Sequence, residues 1–342
     1  MTRDNDNGTI AIVNSSSFGV HFPSYLDEIK EVGKVKRVTV NPGISGKDLA
    51  DKLRGAEYVI ASVTPDFPRS FFEESDDLKL IARHGIGCDN VDLAAATEYG
   101  VIVTRVSGGS ERDAVAELTV ALMMSCVRKV SRAGRAVETG RWDTRSDFVG
   151  IELSGTTVGV IGFGNIGSRV GEIARNGFNS DVLAYDPNIA DPVIEKFGVE
   201  SVSLVEILSR SDIISFNASL NPDNYHFIGK DEFAMMKDRV IIVNTARGEL
   251  IEEDAFASAL KSGKVAAAGV DVLEEEPLQD ESPLTGIDNL IILPHVGSYT
   301  ERSLREMDEK MVEDVKRVMS GVRPDEIVNG VVLNHSNRAG LE

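Results

Sequence analysis

The 342-residue chain is expected to be an α/β protein built as two doubly wound parallel-sheet domains. Three observations carry that expectation. Short apolar strand patterns alternate with amphipathic helical patterns from Thr9 onward, and the rhythm runs through twice. The stretch Thr157-Val-Gly-Val-Ile-Gly-Phe-Gly-Asn-Ile-Gly167 joins an apolar strand directly to a glycine-rich turn and a helical pattern. The length also exceeds the size at which a single core keeps growing.

In the first half, strands are predicted at Ile10–Val13, Val35–Val40, Tyr58–Ala61, Leu78–Ala82 and Val101–Val103. Helical patterns fall between them at Pro23–Val32, Gly46–Leu53, Pro68–Glu74 and Val91–Tyr99. Such alternation implies right-handed crossovers on a parallel sheet. The second half places strands around Val158, Val182, Ile213, Val240, Val265 and Leu290. Its runs Ile213–Phe216 and Ile241–Val243 are apolar enough for burial on both faces. Asp113–Val130 reads as one long helix crossing from the first unit to the second, with Leu118, Leu122 and Met123 suited either to a core or to a dimer surface. A last helix runs from Thr300 through Val318, and Gly330–Leu333 lacks a partner in the second unit, so the C-terminus is expected to return to the first. The predicted domains are therefore 1–108 with 301–342, and 109–300, with ligands expected in the cleft between them.

In the glycine turn, Gly162 permits a tight bend, Gly164 lets a pyrophosphate approach the backbone, and Gly167 lets helix and strand pack closely. Free N–H groups at the start of the helix face the phosphates. The next strand, Asp181–Tyr185, ends in Asp186, 19 residues past Gly167, where an acid accepts hydrogen bonds from a ribose diol. That acid repels a 2′-phosphate, and Pro187 follows where an Arg or Lys would suit NADP, so NAD is the expected cofactor.

A net charge of −19 argues against an electrostatic grip on nucleic acid or on an anionic membrane. Cys88 and Cys126 lack metal-ligand spacing and form no disulfide framework, which suits a reducing, cytoplasmic setting. Met1–Gly8 reads as a polar frayed tail without the apolar core of a signal peptide, and no apolar run approaches bilayer-spanning length.

Three candidate chemical groups follow strands of the second half. Arg247 follows Val240–Val243 and offers a planar fork that matches a carboxylate. Glu276 follows the strand that ends at Asp271, and His295 follows Leu290–Leu293. Beside a dinucleotide turn, an imidazole and two oppositely charged groups emerging from one sheet edge are candidates for proton transfer and anion binding. In the first half, Gly85, Ile86 and Gly87 follow a strand end and expose backbone N–H groups as an anion nest.

The motifs Arg83–Asp92, Gly140-Arg-Trp-Asp143, Gly150–Gly155 and Val243-Asn-Thr-Ala-Arg-Gly248 resemble, over nearly the whole chain, the D-isomer-specific 2-hydroxyacid dehydrogenases. The phosphoglycerate dehydrogenase branch is the most similar. The resemblance implies a flavodoxin-like substrate domain, a Rossmann NAD-binding domain and a homodimer. It implies Arg247, Glu276 and His295 as the catalytic set, and cofactor contacts at Asn165, Ile166, Asp186, Ala218, Thr245 and Asp271. It further implies that Gly85, Ile86 and Gly87, together with Arg247, bind the carboxylate of a small 2-keto or 2-hydroxy acid. Phosphoglycerate enzymes carry an Arg-containing segment after the third strand, whereas this chain reads Ala61-Ser-Val-Thr-Pro65, which weakens the reading of a phosphorylated substrate. The segment Val106–Asp113 also departs from the family pattern, and the chain leaves no room for the regulatory domain of longer relatives. The expected activity is an NAD-dependent 2-keto acid reductase. 3-Phosphoglycerate dehydrogenase is the runner-up, and an NAD(H)-sensing corepressor-like protein is the alternative from another class.

Overall fold

The computed structural model describes residues 8–334 and 340–341; most of the polar N-terminal tail, residues 1–7, lies outside them. The chain divides into two compact units, one comprising residues up to Glu111 and from Ser298 onward, the other Arg112–Gly297.

The first unit has strands β1 (Thr9–Val13), β2 (Lys34–Val38), β3 (Tyr58–Ala61), β4 (Leu80–Arg83) and β5 (Ile102–Arg105). They form one parallel sheet in the order β2-β1-β3-β4-β5, the flavodoxin-like order expected. Helices α1 (Pro23–Val32), α2 (Gly46–Leu53), α3 (Arg69–Phe72) and α4 (Leu93–Glu98) connect them. Proline at the first turn of α1 and the Ser45 side chain accepting from Asp48 N at the start of α2 are local reasons for those helix starts. Strand residues alternate between two cores. Ala11, Val13, Val59, Ala61 and Ile81 face Leu49, Phe71 and Phe72, whereas Ile10, Ile12, Ile60 and Leu80 face the C-terminal helix Glu301–Met319 through Leu304, Met307 and Met311. Burial on both faces explains why these strands read as continuous apolar runs. Beyond that helix, Ile327 bridges to Thr104, and Asn329 accepts from Val103 N and donates to Val101 O, tying the last segment to β5. That segment is a 3-10 turn, Gly330–Asn334, with Val332 buried.

The second unit opens with α5 (Arg112–Val127) and α6 (Val130–Glu138). The single helix expected to end at Val130 is therefore two, because Lys129 takes a left-handed conformation (φ 53°) and breaks the ladder. Leu122, Met123 and Cys126 of α5 are buried against Val158, Ile213 and Ile241, so this face is core of its own unit. Strands β6 (Thr157–Ile161), β7 (Asp181–Tyr185), β8 (Glu200–Ser201), β9 (Ile213–Phe216), β10 (Val240–Asn244), β11 (Val265–Val270) and β12 (Leu290–Ile292) pair in parallel in the order β12-β11-β10-β9-β6-β7-β8. This is the Rossmann order extended by one strand. The two-residue β8 was not foreseen, since two residues carry no periodicity to read. Helices α7 (Asn165–Phe178), α8 (Asp191–Glu195), α9 (Leu204–Arg210), α10 (Lys230–Met235) and α11 (Glu253–Ser262) complete the layers. Ser203 and Glu206 form a reciprocal capping box at α9.

Candidate active site

The glycine turn is built as its spacing demands. Gly162 leaves β6 at φ 85°, and a Cβ there would lie 2.5 Å from Ala218 N. At Gly167 a Cβ would meet Gly162 O at 1.9 Å, so helix α7 reaches its strand only through glycine. Gly164 differs, because a Cβ there meets nothing within 4 Å, and its absence leaves open space at the start of α7. Asn165 and Ile166 form the first turn of that helix. Asp186, at the end of β7, is oriented by two backbone donors, Phe163 N to Oδ2 at 2.8 Å and Asn188 N to Oδ1 at 2.9 Å. Lone pairs remain on each oxygen to accept from a diol.

Asn217, beside Ala218, escaped the sequence reading. Its Nδ2 donates to Ser215 O and Oγ at 3.2 and 3.0 Å, while its buried Oδ1 has no hydrogen-bond partner. An orphaned acceptor beside a cradle kept open by Gly164 fits a bound dinucleotide with hydroxyl donors. Thr245 shares a 2.7 Å contact between hydroxyls with Thr119, whose Oγ1 donates to Val115 O at 2.7 Å. The Thr245 hydroxyl is therefore the donor in that pair.

Arg247, Glu276 and His295 follow the carboxyl ends of the adjacent strands β10, β11 and β12. Asn244 is buried and fixes the first loop: its Oδ1 accepts from Ala246 N at 3.0 Å and its Nδ2 donates to Arg247 O at 2.8 Å. Arg247 Nη1 donates to Ala246 O at 2.6 Å. Gly248 follows because a Cβ there would lie 1.9 Å from Leu273 C, so the loops after β10 and β11 touch backbone to backbone.

His295 Nδ1 lies 2.9 and 3.2 Å from Glu276 Oε2 and Oε1, and Oε1 also accepts from Leu273 N at 3.1 Å. A carboxylate only accepts, so Nδ1 carries a proton and Nε2 is left to face a ligand. The backbone of His295 is left-handed (φ 54°) and is held by Asp271, whose carbonyl accepts from His295 N at 2.9 Å. The carboxylate of Asp271 accepts from Val296 N and Gly297 N at 2.8 and 2.7 Å. Burial pushes the Asp271 carboxyl above the ordinary range, opposed by those N–H groups and by the nearby His295. The structure thus gives Asp271 a role absent from the sequence reading, that of clamp for the His295 turn.

In the first unit, Gly85 follows β4 at φ 151°, and a Cβ there would sit 2.8 Å from Arg83 Nη1. Its N–H is used by Arg83 O at 2.9 Å, whereas those of Ile86 and Gly87 have no intramolecular acceptor among the described residues. The segment Ser62–Pro65 is pinned by Asn90 Nδ2, which donates to Ser62 O and Pro65 O, and presents no cation.

This strand order and glycine turn define a dinucleotide-binding fold, with an acid at the end of β7 and an imidazole–carboxylate pair on the carboxyl edge of the same sheet. Residues 120–297 match the D-isomer specific 2-hydroxyacid dehydrogenase, NAD binding domain, and the chain belongs to that family. It is 42% identical over 245 residues to hydroxypyruvate reductase of Thermotoga maritima, covering 71% of this chain and 78% of that one. It is 40% identical over 308 residues to D-3-phosphoglycerate dehydrogenase of Methanocaldococcus jannaschii, covering 90% of this chain and 58% of that one. The chain thus spans little more than half the length of that dehydrogenase. The crystal structure of D-lactate dehydrogenase from Aquifex aeolicus complexed with NAD and lactic acid superposes with a TM-score of 0.83 at 28% identity, covering 94% of this chain and 99% of that one.

Proposed function

We propose that the protein is an NAD-dependent 2-keto acid reductase, interconverting a small 2-keto acid and its D-2-hydroxy acid. The observation that carries this reading is the Glu276–His295 pair at 2.9 Å on the carboxyl edge of the sheet that bears the glycine turn. When bound, the cofactor supplies or takes up a hydride at C2. In reduction, the Nε2 proton of a doubly protonated His295 passes to the oxygen developing on C2, and Glu276 balances the charge and holds the ring. Arg247 binds the substrate carboxylate and the C2 oxygen. The N–H groups of the Gly85–Gly87 loop, in the first unit, are a seat for a substrate carboxylate. The glycines at 162, 164 and 167 with Asn165 and Ile166 hold the pyrophosphate, Asp186 the ribose, and Ala218, Thr245 and Asp271 the remainder of the cofactor.

Similarity to hydroxypyruvate reductase and to D-lactate dehydrogenase supports an unphosphorylated substrate, as does the absence of a cation in Ser62–Pro65. Phosphoglycerate dehydrogenation is the second reading, favoured by 40% identity to an enzyme of that name. NADH oxidation with glyoxylate, hydroxypyruvate, pyruvate and phosphohydroxypyruvate separates the two. Turnover of the unphosphorylated acids is expected. Turnover confined to phosphohydroxypyruvate would reverse the order, and NADH binding without turnover of any of them would remove the enzyme reading.

Homodimerisation belongs to the same proposal. Support comes from exposed apolar side chains on the second unit, Val130, Val137, Trp142, Val149 and Ile151, with Trp142 72% and Val149 75% exposed. A cytoplasmic location fits two buried cysteines that are not joined in a disulfide. Among the described residues, no helix is long and apolar enough to cross a membrane.

A further inference from the structure

In the first unit, a buried ion-pairing arrangement adjoins the loop Gly85–Gly87, and none of the roles proposed above uses it. His84 Nε2 donates to Asp308 Oδ1 at 2.9 Å, and both side chains are almost wholly buried, at 2% and 1% exposure. The second oxygen of Asp308 accepts from Gly19 N at 2.9 Å, and Phe18 meets the imidazole edge to face with 5.7 Å between ring centroids. Asp308 stands on the buried face of the C-terminal helix, among Leu304, Met307, Met311, Val312 and Val315. A pair of matching apolar side chains would fill such a site at less desolvation cost, so the polar pair calls for a reason beyond packing.

The main-chain bonds around His84 supply one. Its N–H donates to Ala61 O at 2.9 Å, and its carbonyl accepts from Arg83 Nη1 at 2.8 Å. With the side chain locked to Asp308, residue 84 is held at its N–H, its carbonyl and its ring. The next residue is Gly85, whose φ of 151° sets the direction in which the N–H groups of Ile86 and Gly87 point. We propose that His84, anchored by Asp308, is a positioning residue that aims those two N–H groups at the substrate carboxylate. This rests on the reading of the loop as a carboxylate seat. His84 does not touch the substrate; it acts by fixing the peptide plane from which the loop departs.

The test is steady-state reduction of glyoxylate and hydroxypyruvate by wild type, His84→Ala, His84→Gln and His84→Asn, with the thermal unfolding midpoint of each. His84→Ala is expected to raise the KM for the keto acid about tenfold, with kcat and the KM for NADH within about twofold of wild type. Glutamine places an amide N–H where Nε2 stood and restores the low KM; asparagine is too short to reach Asp308 and does not. An unchanged keto acid KM in folded His84→Ala overturns the proposal. So does a parallel loss in kcat and in both KM values without rescue by glutamine, which marks a purely structural residue. If His84→Ala fails to fold, the contrast of glutamine with asparagine decides in the same way. A wild type that binds NADH yet reduces neither acid overturns the carboxylate reading of the loop and this role with it, a result distinct from an active wild type whose variants keep its KM.

Discussion

At the scale of single residues, His295 and Cys126 show how surroundings set chemistry. His295 has its Nδ1 committed to Glu276 and its backbone to Asp271, so substitution removes a proton donor while the glycine turn stays intact. His295→Ala is expected to lower kcat by roughly 10²–10⁴-fold with the Kd for NADH little changed, measured by turnover and fluorescence titration. Near-normal turnover would transfer the acid role elsewhere. Asp186→Ala is expected to erode the preference for NADH over NADPH in the same assay, since it removes the diol acceptor and the charge that repels a 2′-phosphate. Cys126 lies in the core beside Leu122 and Val158, and burial pushes its thiol up to about 12. The sign follows directly: at pH 8 about one thiol in ten thousand is ionised, and the thiolate fraction grows about tenfold per pH unit up to that value. In a Cys88→Ser background, a disulfide reagent at pH 8 is expected to leave the native protein unmodified and to react after unfolding; rapid native labelling would show that the core opens.

At the scale of elements, the β6–α7 junction separates glycines needed for folding from one needed for binding. Gly167→Ala drives a Cβ into Gly162 O and is expected to destabilise by about 1–3 kcal/mol, read from denaturant unfolding. Gly164→Ala meets nothing within 4 Å and has an extended backbone (φ −70°, ψ −155°), so its stability stays within about 0.5 kcal/mol of wild type. Its methyl projects into the space kept open at the helix start, and the Kd for NADH is expected to rise at least about tenfold, or ~1.4 kcal/mol. Equal NADH affinity in Gly164→Ala would place the pyrophosphate elsewhere. The three roles expected from the motif are thus separable in experiment, because a Cβ meets backbone at Gly162 and Gly167 and nothing at Gly164.

At the scale of the whole molecule, the exposed apolar side chains between Val130 and Ile151 bear on self-association. The acidic surface keeps such molecules apart through net charge, so a specific apolar patch is required to bring two together. If the proposed dimer forms, Trp142→Asp with Val149→Asp is expected to shift it to a monomer in sedimentation while the unfolding midpoint of the chain persists. A wild type that sediments as a monomer at micromolar concentration would remove the dimer from the proposal.

The strand positions, the glycine turn and the strand ends that carry Arg247, Glu276 and His295 were all legible in the sequence, because each rests on local chemistry. Doubly buried parallel strands must be apolar throughout, and close approach of backbone to backbone or to phosphate admits only glycine. What remained hidden depends on partners remote in sequence. A helix reads as apolar whether it meets its own sheet or a second chain, and packing alone assigned Leu122 and Met123 to the core and left Trp142 outside. The pair His84–Asp308 spans 224 residues, and no periodicity connects its members. Asn217 carries no motif, and nothing in the sequence marks Asp271 as the clamp of the His295 turn. Their roles arise where the chain returns, since a hydrogen bond reaches about 3 Å in space and is indifferent to distance along the sequence.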